Sequence, residues 1–201
     1  MEMTGEQLVP ATQQETWSAL NDPEVLKACV PGCESIEPTG KDEYQVLMVA
    51  RVGPVSAKFK GKLTLSDVQP PNSYSISFEG QGGPAGFAKG GAKVKLVSEN
   101  SNQTKLAYTV QANVGGKLAQ IGSRLVDAAA KKVADEFFRS FNEKLSAGKS
   151  GHGGDGPSRD DHHPEPVPRD PDLPSASNTT LGFVAAGALV VYLVSLLVLV
   201  D

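Results

Sequence analysis

The chain has 201 residues and a formal net charge of −4. That average hides three unequal parts: Met1–Ser146 carries 16 basic and 16 acidic residues, Ala147–Thr180 carries 3 and 6, and Asp201 supplies the last negative charge. A neutral first part lacks the basic face that phosphate binding requires, which argues against nucleic acid as a partner. About 146 residues make one domain with a real core, and not two.

The first residues, Met-Glu-Met-Thr-Gly-Glu-Gln, have no basic start and no apolar run, so they do not form a secretory signal. The expectation is a first domain in the cytoplasm. Gln7–Val9 ends a short strand, stopped by Pro10. Thr12 with Glu15 three residues on predicts a capped helix whose apolar side holds Trp17 and Leu20. Asp22 followed by Pro23 starts a second short helix through Ala28, and Pro31-Gly32 stops it.

Alternating segments follow. Tyr44, Val46, Met48 and Ala50 share one face of a strand. Ala57, Phe59, Leu63 and Leu65 face one way along the next, with Lys58, Lys60 and Lys62 on the other side. Tyr74, Ile76 and Phe78 mark a third strand, Ala88, Ala92, Val94 and Leu96 a fourth, and Leu106, Tyr108, Val110 and Ala112 a fifth. Pro54, Pro70-Pro71-Asn72, Gly82-Gly83-Pro84 and Asn100-Ser101-Asn102 supply the turns. Ile121, Leu125, Ala129, Val133, Phe137, Phe141 and Leu145 then recur every four residues, widened by Leu118 and Ala128. That predicts one amphipathic helix of about 28 residues, roughly 42 Å long. An α+β fold in which a curved antiparallel sheet wraps one long helix buries both apolar faces.

Ala147–Thr180 holds six of the 14 prolines and no aromatic residue, so it cannot bury enough apolar area to offset ordering entropy. We expect a disordered linker there. Leu181–Val200 is twenty residues without a charge. As a helix it spans about 30 Å, the thickness of the hydrocarbon core, and predicts a transmembrane tail anchor. The expected organisation is a folded domain over 1–146, a linker over 147–180 and an anchor over 181–200, placing the protein at the cytoplasmic membrane.

The segments NDPEVLKACVPGCESIE, GPVSAKFKGKLTL, FAKGGAKVKL and GGKLAQIGSRLVDAAAKKVADEFF, in that order, resemble the carbon monoxide dehydrogenase G-subunit family. That family belongs to the helix-grip superfamily of START-like and Bet v 1-like domains. The resemblance covers about residues 3–145, and the linker and anchor look like those of its membrane-tethered members. It implies an accessory protein, not an independent enzyme. Its partner would be a molybdenum-containing carbon monoxide dehydrogenase or a related molybdenum hydroxylase, brought to the lipid bilayer.

The candidate chemistry is sparse. Met1–Ser146 has no histidine, which removes the commonest general base and metal ligand. Neither a catalytic nor a metal site is expected, and the protein should have no cofactor of its own. Cys29 and Cys33 have the wrong spacing for a C-x-x-C redox pair. They read as small apolar residues flanking a Pro-Gly helix stop, with a redox-sensor role as the alternative. Gly80–Ala92 is glycine-rich but joins two strands rather than opening a helix, so it is not a phosphate loop. It reads either as a plain hairpin or as a cavity rim or docking loop, with Gly83, Phe87 and Lys89 as its functional residues. The lysine row reads as a solvated strand face or as a contact for anionic lipid or an acidic partner.

Helix-grip interiors often hold an apolar ligand. An apolar interior on a membrane tether beside a redox enzyme points to a respiratory quinone, menaquinone or ubiquinone. The lining residues expected are Met48, Phe59, Leu63, Tyr74, Phe78, Val94, Tyr108, Leu125, Ala129 and Phe137. Two other readings stand beside this one: a pure anchor with a filled core, and an assembly factor for the immature dehydrogenase.

Overall fold

The computed structural model describes residues 2–52 and 55–149. Strand β1 (Glu2–Val9) leads to helices α1 (Gln13–Leu20) and α2 (Pro23–Cys29). Six strands follow: β2 (Cys33–Gly40), β3 (Glu43–Val52), β4 (Val55–Gln69), β5 (Ser73–Gln81), β6 (Phe87–Asn100) and β7 (Gln103–Gly115). A short turn of helix, α3 (Lys117–Gln120), precedes the long helix α4 (Ser123–Lys149). The seven strands form one antiparallel sheet in the order β1-β7-β6-β5-β4-β3-β2, curved around the helices. The linker and the predicted membrane span lie outside the described residues. Among the described residues no helix is long and apolar enough to cross a membrane.

Local chemistry sets the helix ends. The Glu15 amide donates to Thr12 Oγ1 at 3.2 Å and the Thr12 amide donates to Glu15 Oε2 at 2.8 Å, the reciprocal capping box expected for α1. Asp22 Oδ1 accepts from the amides of Glu24 at 2.9 Å and Val25 at 3.3 Å, so Pro23 enters α2 at its first position, where no amide is needed. Gln13 ties α1 to the sheet, its Nε2 donating to Leu96 O, Pro71 O and Asn72 Oδ1 at 3.0–3.3 Å. Buried Thr104 fixes the start of β7 by donating to Ala11 O at 2.9 Å.

Several expectations change in extent. β1 runs the full eight residues from Glu2, because its whole length pairs with β7. Tertiary pairing overrides a weak local pattern here. β2 has no counterpart in the sequence reading. It is an edge strand with one fully buried side chain, Ile36, and it contains Pro38, so alternation barely marks it. The glycine-rich stretch is mostly strand: β5 continues to Gln81 and β6 begins at Phe87, with one 3-10 turn (Gly83–Ala85) between them.

The predicted single helix is broken. Gly122 has φ +97, which ends α3 and separates Leu118 and Ile121 from α4. Leu125 is 50 % exposed, and Val126 takes the interior position instead. The reason is helical arithmetic: each four-residue step overshoots a full turn by about 40°, so a strict series of such steps winds off the buried face. Ala129, Val133, Phe137 and Phe141 stay inside, joined by Ala130, Ala134 and Phe138.

Candidate functional site: the interior between the sheet and the long helix

The alternation of each strand divides the sheet cleanly. On the concave side, Tyr44, Leu63 and Phe78 stand side by side on β3, β4 and β5 through the pairs Tyr44↔Leu63 and Leu63↔Phe78. Met48 lies opposite Phe59, and Tyr74, Val94 and Tyr108 form a row across β5, β6 and β7. All of these are buried, as are Ala129 and Phe137 on α4. Nine of the ten residues expected to line the interior are therefore inside, and Leu125 is the correction. Eight of them (all but Leu125 and Ala129) belong to one continuous apolar cluster.

The interior differs from one end to the other. The end next to α1 is aromatic. Trp17 meets Tyr74 edge-on with ring centres 5.5 Å apart, and Tyr108 stacks on Phe138 at 5.6 Å. Phe137 contacts Phe138 edge-on at 5.2 Å and stacks on Phe141 at 5.3 Å. Farther along the sheet one inward row has short side chains, Val46, Gly61, Gly80, Ala88 and Val114 across five strands, and the row beyond it holds Met48 and Phe59. The first half of α4 also buries small residues, Ala129, Ala130 and Ala134. Rings lie over neighbouring glycines, Phe59 over Gly82 and Phe78 over Gly90.

Among the described residues three buried side-chain polar atoms have no hydrogen-bond partner: Tyr74 Oη, Thr16 Oγ1 and Asn142 Oδ1. Sequence reasoning marked Tyr74 only as apolar lining and passed over Thr16. Nothing in a strand or helix pattern tells a satisfied hydroxyl from an orphaned one. Burial pushes the Tyr74 phenol far above its ordinary range, so it is a neutral donor at any physiological pH.

The three candidate rim residues lie outside the interior. Gly83 is exposed with φ +57, and Lys89 is exposed on the outer face of β6. Phe87 is 39 % exposed and lies over Gly115 on the neighbouring strand, where a side chain would collide with its ring. On the lysine row, Lys58 pairs with Glu34 at 2.7 Å and Lys62 with Glu43 at 2.9 Å. Such exposed pairs contribute little stability. A concavity of about 700 Å³ is lined by charged and polar residues, Glu6, Asp67, Lys93 and Lys95 among them, and also by Tyr74, Val94 and Tyr108.

Cys29 closes α2, buried, and Cys33 opens β2; neither is in a disulfide. Gly32 between them has φ +76, the turn expected of a Pro-Gly stop. Burial raises both thiols, Cys33 from 9.0 to about 11, and its Sγ lies 3.8 Å from Ser35 O as a weak donor. A raised thiol is a poor thiolate source, the opposite of a redox sensor. Tyr44 is likewise pushed from 10.0 to about 12, by burial first and then by Asp42. The folded state thus holds these protons more tightly than the unfolded chain. The resulting stability is complete below pH 9 and is lost as pH rises through 11 for Cys33, then through 12 for Tyr44. A melting series from pH 8 to 12 should show a falling midpoint beginning near pH 9, with the first part of the fall reduced in Cys33→Ala. A flat midpoint to pH 11 in the unaltered chain would contradict the burial of Cys33.

This architecture, a curved seven-stranded sheet closed by a C-terminal helix over an apolar interior, is that of the START-like helix-grip proteins. A START superfamily protein from Mycobacterium smegmatis superposes with TM-score 0.58 at 12% identity, covering 73% of this chain and 97% of that one. The Zhui aromatase/cyclase from Streptomyces sp. R1128 superposes with TM-score 0.59 at 12% identity, covering 77% and 98%. Likenesses so remote concern the fold alone, and that fold serves an enzyme in the second case. A conserved protein from Geobacillus kaustophilus is nearer, with 33% identity and TM-score 0.70 over 73% of this chain and 96% of that one. No curated protein matches the chain. Residues 5–146 match the carbon monoxide dehydrogenase G-subunit (CoxG) family, and the chain belongs to it.

Proposed function

We propose that this protein is an accessory subunit that holds a molybdenum-containing carbon monoxide dehydrogenase at the membrane and carries a respiratory quinone for it. Leu181–Val200 anchors the chain in the bilayer. The domain takes menaquinone or ubiquinone into the space between the sheet and α4 and presents it to the docked enzyme. Family membership supports the partner, and the helix-grip fold supports an apolar ligand. The observation that carries the reading is the presence of small residues both in one inward row of the sheet and in the first half of α4, within an otherwise apolar interior. No acid–base pair or metal is needed for this role. The reacting groups belong to the quinone and to the partner, and the domain contributes orientation and exclusion of water.

The pure-anchor reading has its own support in the eight lining residues that join one continuous core cluster. Two changes separate the readings. Deleting Leu181–Val200 should release the dehydrogenase from membranes under either. Ala129→Trp places a large ring against the small-residue wall. Under the quinone reading it lowers quinone-dependent electron transfer by tenfold or more while the enzyme stays on the membrane. Electron transfer equal to that of the unaltered protein, in a variant whose melting shows it folded, would favour the anchor alone. Loss of active dehydrogenase in cells lacking the protein would point instead to assembly.

A further inference from the structure

The proposed function leaves open how an apolar interior would recognise a quinone rather than any hydrocarbon. The unsatisfied hydroxyls answer this. An orphaned buried hydroxyl is costly, and native proteins rarely keep one without a partner. Tyr74 is 2 % exposed and Thr16 is fully buried, and among the described residues no atom bonds to Tyr74 Oη or Thr16 Oγ1. The two belong to the same end of the molecule. Thr16 precedes Trp17 on α1, and Trp17 packs edge-on against Tyr74 at 5.5 Å. Gln13, one turn earlier on α1, is bonded to Pro71 O and Asn72 Oδ1, just before β5 and Tyr74.

We propose that Tyr74 Oη, with Thr16 Oγ1, is the polar contact for the carbonyl oxygen of a planar apolar ligand seated at the aromatic end of the interior. This rests on the quinone reading and gives the ligand a direction. The ring system lies beside Trp17 and Tyr74, where ring edges and faces serve aromatic packing. The hydrocarbon tail runs toward the row of Gly61, Gly80 and Ala88, whose side chains are short. A hydroxyl donates to a quinone carbonyl and accepts from a quinol hydroxyl, so the same two side chains serve both redox forms. A ligand without a carbonyl or hydroxyl leaves both groups unpaired and is disfavoured, which is the basis of selection against plain lipid chains.

The chain carries its own probe, because Trp17 is its only tryptophan and lies beside Tyr74. Full-length protein in detergent is titrated with menadione, the tail-less ring, and with menaquinone-4, following Trp17 fluorescence. Tyr74→Phe and Thr16→Val remove one hydroxyl each with little change in shape. Tyr74→Phe should weaken menadione binding about tenfold while leaving the melting temperature unchanged or higher. The carbonyl stretching band of bound menadione, displaced to lower frequency in the unaltered protein, should move back toward its free position. Thr16→Val should weaken binding several-fold. Menadione bound by Tyr74→Phe as tightly as by the unaltered chain, with the same band position, would overturn the subsite while leaving the quinone reading intact. No binding of either quinone to the unaltered chain would instead overturn the quinone reading itself.

Discussion

Replacing Phe137 with alanine is expected to cost about 3–5 kcal/mol of folding stability. Phe137 is fully buried on α4, stacks on Phe141 at 5.3 Å and meets Phe138 edge-on at 5.2 Å. Its loss removes both the transfer energy of the ring and two aromatic contacts, and leaves a cavity that two neighbouring rings cannot fill without changing rotamers. For a domain of this size the midpoint should fall by about 10–15 °C. Thermal and urea denaturation followed by circular dichroism measure it. A loss below about 1 kcal/mol would mean that Phe137 faces a space able to collapse, and its packing against Phe138 and Phe141 would have to be redrawn.

Gly86→Ala should be nearly as damaging, for a backbone reason. Gly86 has φ +120, a conformation that L side chains rarely adopt. An added Cβ would also collide with Gly115 O and come within 3.0 Å of Gly116 Cα. Both obstacles are main chain and cannot rotate away. The β5–β6 turn and the exit from β7 are packed back to back at this point, so the clash would force apart two connections at the small-residue end. A cost of about 2–4 kcal/mol follows from strain and overpacking together. Gly83→Ala is the control. It has φ +57 but nothing within 4 Å, so it carries strain alone, about 1–2 kcal/mol. Equal losses for the two variants, by denaturant titration, would show that the contact with Gly115 and Gly116 does not matter.

The elements legible in the sequence were those whose pattern is set locally. Thr12 and Glu15, or Asp22 and Pro23, announce a helix start because the bonds they make lie within three residues of the cap. Strands β3 to β7 alternate because one face of each is buried in the apolar interior. β2 could not be read this way, since an edge strand with Ile36 as its single fully buried side chain carries no alternation. Leu125 misled for a geometric reason, because a four-residue repeat sustained for six steps drifts around the helix. Gly122 hid inside that repeat: glycine is compatible with a helix, and only its φ of +97 reveals the break. Apolar residues on known faces were enough to place nine of the ten candidates in the buried interior. The orphaned hydroxyls of Tyr74 and Thr16 were not legible, because hydrogen-bond satisfaction depends on what every other element brings near. In the proposed reading, that absence of partners gives the apolar interior its chemical preference.

The central claim, that the interior carries a quinone, is tested most directly by what the protein brings with it from the membrane. The full-length chain is purified from its native membranes in mild detergent, and its lipid extract is quantified by mass spectrometry beside that of Ala129→Trp. The account predicts a respiratory quinone approaching one molecule per chain, strongly reduced in Ala129→Trp. A quinone-free extract, together with no uptake from vesicles loaded with menaquinone, would contradict it.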